Sequence, residues 1–124
     1  MTARMQMPSM DRLGKIEVSQ RAIASIAADA ALRSYGVVGM ASTRLKDGLA
    51  EMLRRENLER GIVVHFKDGQ IVIDLYVIVE YGTRISEVGR NIAQNVKFAV
   101  EKAIGMPVAQ VNVNVQGLRI SDQA

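Results

Sequence analysis

Two residues, Asp68 and Gly69, constrain the fold more than any other feature of this 124-residue sequence. Alternating apolar runs flank them, IVVHF before and IVIDLYVIV after. An Asp-Gly pair favours a two-residue type I′ turn, which requires positive φ at both positions and joins antiparallel strands. Such a turn sets Lys67 opposite Gln70 and, further along, Ile62 opposite Leu75. We therefore expect a β-hairpin over residues 61–81.

The register of this hairpin puts its large aliphatic side chains on one face, because residues directly opposite each other share a face. A shift of one residue would turn all of them to solvent. The side chains expected on the buried face are Ile62, Val64, Phe66, Ile71, Ile73, Leu75, Val77 and Val79.

A helix and a further strand follow the hairpin. Thr83 can cap a helix over residues 83–104, with Glu87 near its positive end and Gly105 and Pro107 at its stop. Its expected buried stripe is Ile85, Val88, Ile92, Val96, Ala99, Val100 and Ala103. Residues 108–116 alternate valine with polar residues, which predicts a strand, and a right-handed crossover would make it parallel to the second hairpin strand. The fold class is α+β, with a single mixed β-sheet and helices packed on one face.

The N-terminal half has weaker patterns. Residues 15–18 predict a short strand, and Ser19 is a suitable N-cap for a helix that runs to Tyr35 and stops at Gly36. Residues 37–41 predict a buried strand, and the apolar spacing over residues 45–57 predicts a second helix. We expect residues 1–13 to be a flexible tail, 14–120 a single domain, and 121–124 a C-terminal tail.

Four strings are the most distinctive in the sequence: DLYVIVEYGTRI, VKFAVEKAIG and VNVNVQG, with IEVSQRAIASIAADAALRSYGVVGM nearer the N-terminus. Together they resemble the alkaline-shock-protein (general-stress-protein) family, a domain of the bacterial cell-envelope stress response. The resemblance implies a non-catalytic scaffold or adaptor that is cytoplasmic, forms homo-oligomers and is held near the membrane by an anchor protein. The YGTRI and VNVNVQG strings resemble a subgroup encoded beside a dihydroxyacetone-kinase-like protein, which implies an accessory role toward such a partner. The family has no catalytic motif to transfer.

The composition gives no support for an enzyme, a cofactor or a metal site. With no cysteine, the chain has no disulfide and no thiolate ligand. His65, the only histidine, and Asp74 are expected on the outward face of the hairpin. A catalytic or metal-binding role would require several convergent partners, whereas a solvent-exposed position needs none. No phosphate-binding loop or nucleophile motif is present.

The outward sheet face is the predicted interaction surface. Apolar and polar side chains alternate there, an arrangement typical of protein contacts. Its predicted members are Val63, Val72, Tyr76, Ile78, Asn112 and Asn114. In the alternative arrangement, the helix over residues 45–57 or the N-terminal strand covers this face.

A second hypothesis is a small nucleic-acid-binding domain. Residues 36–39 read GVVG and match the GxxG loop that clamps a nucleic-acid backbone in KH domains. A net charge of +3 adds a modest basic excess. Phosphate contacts would make such binding fall steeply with salt.

Overall fold

The computed structural model describes residues 4–6, 17–42, 52–53 and 55–120. These residues form two α-helices, α1 (Gln20–Leu32) and α2 (Ile85–Ile104), one 3₁₀ helix (Arg55–Gly61) and six strands. The strands are β1 (Arg4–Gln6), β2 (Glu17–Ser19), β3 (Val37–Met40), β4 (Ile62–Lys67), β5 (Gln70–Glu80) and β6 (Val108–Arg119).

The central hairpin confirms the register predicted from its turn. Asp68 and Gly69 have φ of 53° and 75°, as a type I′ turn requires. Lys67 pairs with Gln70, and Ile62 pairs with Leu75. The α+β fold class with one mixed main sheet is confirmed, because β6 runs parallel to β5 while β3 and β4 run antiparallel to it.

β5 is the central strand of the main sheet. β6 pairs along β5 from Ile71 to Glu80 and so occupies one whole edge. β4 pairs with residues 70–75 and β3 with residues 77–79. Since a strand has only two edges, β3 and β4 lie end to end along the other one. At their junction, a Cβ on Gly61 would sit 2.8 Å from the carbonyl oxygen of Ala41, so only glycine fits there.

Both α-helices pack on one face of this sheet and form the core with it. α2 buries five branched side chains along one stripe: Val88, Ile92, Val96, Val100 and Ile104. α1 contributes Ile23 and a row of alanines, including the fully buried Ala27 and Ala31. Small side chains let α1 lie close to the sheet. Ile85 was expected in the buried stripe of α2 but is 43% exposed at the first turn.

The N-terminal cap of α1 is confirmed, since the Ser19 side chain accepts a hydrogen bond from the Ala22 backbone N–H. The helix ends at Leu32, earlier than expected. β2 pairs with β1 in a separate two-stranded sheet, so residues 4–6 of the expected tail form a strand. The remaining residues of the 1–13 segment, and residues 121–124, lie outside the described residues.

The helix predicted over residues 45–57 is wrong at Met52 and Leu53. Met52 forms an antiparallel bridge with Ala41, and the Leu53 N–H donates to the Met40 carbonyl oxygen at 3.0 Å. These two residues therefore extend the pairing of β3. Residues 43–51 and 54 lie outside the described residues, and a 3₁₀ helix begins at Arg55.

The N-cap of α2 is Arg84, so the prediction of Thr83 is corrected. The Thr83 hydroxyl donates to the Glu80 carbonyl oxygen at 2.7 Å and closes the turn after β5. Glu87 lies in the first turn as expected, within 3.0 Å of the Arg84 guanidinium. At the other end, Gly105 takes φ of 73° and its N–H donates to the Glu101 carbonyl oxygen, which confirms the predicted stop.

Candidate interaction surface

Five of the six residues predicted for the interaction surface lie together on the sheet face that α1 and α2 leave uncovered. Val63 is opposite Asp74, which is itself paired with Asn112 of β6. Tyr76 is paired with Asn114 in the same way. The five half-buried side chains that we call the outer face are Val63, Val72, Tyr76, Asn112 and Asn114.

Ile78, the sixth predicted residue, is only 4% exposed and does not belong to the accessible outer face. It pairs with Gly39 of β3, so both residues share a face. A Cβ on Gly39 would lie 3.1 Å from Met52 Sδ. The Met52 side chain therefore packs over this end of the sheet. In the alternative arrangement the helix over residues 45–57 covers the outward face; at this end Met52 of that segment covers Gly39, but it forms a bridge with Ala41 and is not helical.

A row of polar side chains crosses the outer face from β4 to β6. His65 Nε2 lies 2.9 Å from Asp74 Oδ2, while Asn112 Nδ2 donates to Asp74 Oδ1 at 2.7 Å. Gln110 Nε2 then donates to Asn112 Oδ1 at 2.6 Å. The row fixes the orientation of the two carboxylate oxygens and the Asn112 amide across three strands. The hydrophobic residues of the outer face are thus set beside fixed hydrogen-bonding groups.

The sequence predicted His65 beside Val72 and near Asp74, but not the continuation of this row to Gln110. The parallel pairing of β6 with β5 brings Asn112 to Asp74, and that register depends on where the crossover helix returns the chain. The Asn114 side chain is held by a different hydrogen bond, since its Nδ2 donates to the Leu75 carbonyl oxygen at 3.1 Å.

A surface depression of about 700 Å³ lies where the outer face meets the edge of β4 that does not pair with β5. The start of α1 closes it on one side, because Gln20 Nε2 donates to the Val64 carbonyl oxygen at 2.7 Å. Its lining residues are Gln20, Val64, His65, Phe66, Lys67, Val72 and Gln110. Three of these side chains are apolar and four are polar, so the depression offers hydrogen-bonding groups beside apolar surface.

A second depression of about 630 Å³ lies between α1 and α2, on the opposite side of the molecule. Phe98 is 66% exposed there, and the Lys102 ammonium lies 5.7 Å from the centre of its ring. This aromatic side chain is the largest apolar group that α2 leaves in solvent. It provides a convenient reference point for substitutions far from the outer face.

The described part of the chain contains no group of three or more His, Asp or Glu residues that could hold a metal ion. Each oxygen of Asp74 already has a side-chain partner. Within the same ranges, no helix is long and apolar enough to cross a membrane.

Residues 36–39, the candidate nucleic-acid clamp, form no open loop. Gly36 follows α1 with φ of 87°, and Val37 begins β3. The Gly36 carbonyl oxygen accepts from the Glu80 N–H at 2.8 Å, and Gly39 is covered by Met52. Because this backbone is engaged in the sheet, it does not offer the unpaired loop amides that a GxxG clamp uses.

Comparison with known proteins identifies the family. The chain is 48% identical over 112 residues to the uncharacterised protein YloU of Bacillus subtilis strain 168, covering 90% of this chain and 93% of YloU. It is 42% identical over 108 residues to the uncharacterised protein Spy1614 of Streptococcus pyogenes serotype M6, covering 86% and 89%. In structure it resembles a double variant of the MamM CTD, with a TM-score of 0.50 at 17% identity over 82% of this chain and 95% of that one. This last likeness concerns the fold alone. Residues 9–120 match the model of the alkaline shock protein 23 family, described as having a cell envelope-related function, and the chain therefore belongs to that family.

Proposed function

We propose that this protein is a non-catalytic adaptor of the cell-envelope stress response, which binds a partner protein through its outer face and associates with further copies of itself. The observation that carries the proposal is the outer face: three half-buried apolar side chains, Val63, Val72 and Tyr76, lie on a sheet surface that α1 and α2 leave uncovered. Contiguous apolar patches on the surface of a soluble protein often mark a site where another protein binds.

The polar row strengthens this proposal. Protein interfaces combine an apolar centre with fixed hydrogen-bonding groups at the rim. Here Asp74 and Asn112 are held by their neighbours, so a partner would meet them without a large loss of side-chain entropy. Tyrosine, as at position 76, is among the side chains that contribute most to binding energy in such surfaces.

The nature of the partner follows from the family resemblance. It suggests a membrane-anchor protein, which would hold this protein at the cytoplasmic side of the membrane, or a kinase-like protein that it assists. Both candidates are proteins, and the proposal has either one bind at the outer face, to which no catalytic role is assigned.

The test is crosslinked affinity capture of the tagged protein from its native cells, read by quantitative mass spectrometry. The informative variant combines Val63→Lys with Tyr76→Thr. The lysine introduced at position 63 faces Asp74 across β4 and β5, an opposite-charge pair that a sheet tolerates, and threonine retains β-propensity. We expect this variant to fold and to lose its captured partner at least tenfold.

The matched control is Tyr35→Lys, which also exchanges an apolar residue for lysine but at a position 76% exposed beyond the end of α1. It should capture the partner as the unmodified protein does. Equal capture by both variants would refute the outer face as the binding surface. Recovery of RNA-bound material that disappears on nuclease treatment would instead favour the nucleic-acid hypothesis.

A further inference from the structure

β6 is a long strand at the margin of the main sheet. One of its edges pairs with β5 over residues 71–80, and no other described strand pairs with the opposite edge. Residues 108–118 contain neither a charged residue nor a proline. Natural proteins usually protect such an edge with charges, prolines or short strands, because its unpaired N–H and C=O groups can pair with another chain.

The sequence of this strand reads the same in both directions. Residues 110–116 are QVNVNVQ, with Val113 at the centre. In an antiparallel pair of two identical strands about a twofold axis at Val113, each residue meets its own kind: Val111 meets Val115, Asn112 meets Asn114, and Gln110 meets Gln116. Moving the axis to Asn112 would set Gln110 opposite Asn114 and Val108 opposite Gln116. Only the axis at Val113 matches all seven positions.

The core face of β6 is incompletely covered in a single copy. The side chains of Val111, Val113 and Val115 pack against the core yet are only half-buried. Their neighbours on β5, Ile73, Leu75 and Val77, are fully buried at 0% exposed. A strand added at the free edge of β6 would cover the open side of these valines with more valine, which increases the apolar area removed from water.

We propose that two copies of this chain join through β6, antiparallel about a twofold axis at Val113, to form one continuous sheet with the helices of both copies on the same face. The partner is a second copy of this chain, because the strand is complementary to itself along its central seven residues. This inference names the contact behind the self-association in the proposed function and rests on that part of it. It leaves Val63, Val72 and Tyr76 of the outer face available for a different protein, while Asn112 and Asn114 lie beside the contact between the copies.

The test uses the absence of cysteine from the chain. In Val113→Cys, the two introduced sulfurs belong to directly opposite residues, whose Cα atoms lie about 4.5–5.5 Å apart in an antiparallel pair. This separation falls in the range that a disulfide spans, about 4.4–6.8 Å. Under mild oxidation at a protein concentration where the chain is dimeric by sedimentation, we expect nearly complete crosslinking of Val113→Cys.

Two further variants test the register itself. In the proposed dimer, position 110 of one copy lies about 20 Å from position 110 of the other, six residues along the strand, but directly opposite position 116. Gln110→Cys alone and Gln116→Cys alone should therefore crosslink at least tenfold less than an equal mixture of the two. Gln110 is exposed, so this substitution does not disturb the core.

Each outcome decides between the inference and the proposal on which it rests. Selective crosslinking of Val113→Cys and of the mixture supports the β6 contact. A dimer in which these positions crosslink no faster than Phe98→Cys on α2 overturns the β6 contact but retains self-association. A chain that sediments as a monomer at every concentration overturns both, while partner capture through the outer face is tested separately.

Discussion

The two ends of the outward sheet surface differ in how they are covered, and a pair of substitutions on β5 measures this difference. Ile78 is 4% exposed and pairs with Gly39, which Met52 covers, whereas Val72 on the same side of the same strand is half-buried. Ile78→Ala removes three carbon groups at about 0.8 kcal/mol each and leaves a cavity, so the free energy of unfolding should fall by about 3 kcal/mol. Val72→Ala removes two groups that already contact water in part and should cost less than about 1 kcal/mol.

Urea unfolding at one fixed protein concentration measures both values. With a slope of about 1.5 kcal/mol per M for a chain of this size, the midpoint should fall by about 2 M for Ile78→Ala and by less than about 0.7 M for Val72→Ala. The slope itself should stay unchanged. Equal midpoint shifts for the two variants would refute the conclusion that Met52 closes one end of the surface and leaves the other open.

Two further predictions concern the helices. Gly105→Ala forces alanine into φ of 73° at the end of α2 and should lower the free energy of unfolding by about 1 kcal/mol. Gly89→Ala lies inside α2, where an added Cβ meets nothing within 4 Å, and should raise the free energy of unfolding by about 0.5–1 kcal/mol. Changes of the same sign for both variants in chemical denaturation would contradict this prediction. Ser34 is 5% exposed, donates to the Ala30 carbonyl oxygen and accepts from Asn95 Nδ2 at 2.9 Å, so Ser34→Ala should cost about 1 kcal/mol and lower the Tm by about 4 °C. An unchanged Tm in calorimetry would show that this buried hydroxyl contributes nothing to the contact between the helices.

The sequence predicted the hairpin and the end of α2 because the information there is local. Asp68 and Gly69 determine the turn, and the turn determines every pairing up to Ile62 and Leu75. Gly105 marks the end of a helix by its own left-handed conformation. In these places turn chemistry and apolar alternation indicate the same structure, so neither depended on contacts from distant residues.

Met52 shows why the rest was not predictable. The apolar spacing around it fits a helix, but its backbone pairs with Ala41 and its side chain lies over Gly39. Gly39 therefore leaves space for a side chain thirteen positions away, whereas the pattern GVVG suggested a nucleic-acid loop. Ile78, the β5 partner of Gly39, is only 4% exposed and so does not belong to the accessible outer face.

The polar row was missed in part for a related reason. His65 and Asp74 are neighbours within the hairpin, and their contact follows from the turn. Asn112 and Gln110 reach the row only through the register of a parallel pair, which is set by how α2 packs on the sheet. The alternation of apolar and polar residues places both on the solvent-facing side of β6, but it does not determine which residue of β5 each one pairs with.

The bridge between Ala41 and Met52 has a consequence for engineering this protein. It holds the two ends of the intervening chain side by side, and the closure entropy of a connection rises by only about 0.6 kcal/mol for each doubling of its length. We therefore expect an insertion between these two bridge partners, even an entire reporter domain, to leave the described strands of the sheet in place. Such an insertion would add a new specificity while the outer face and β6 remain as they are.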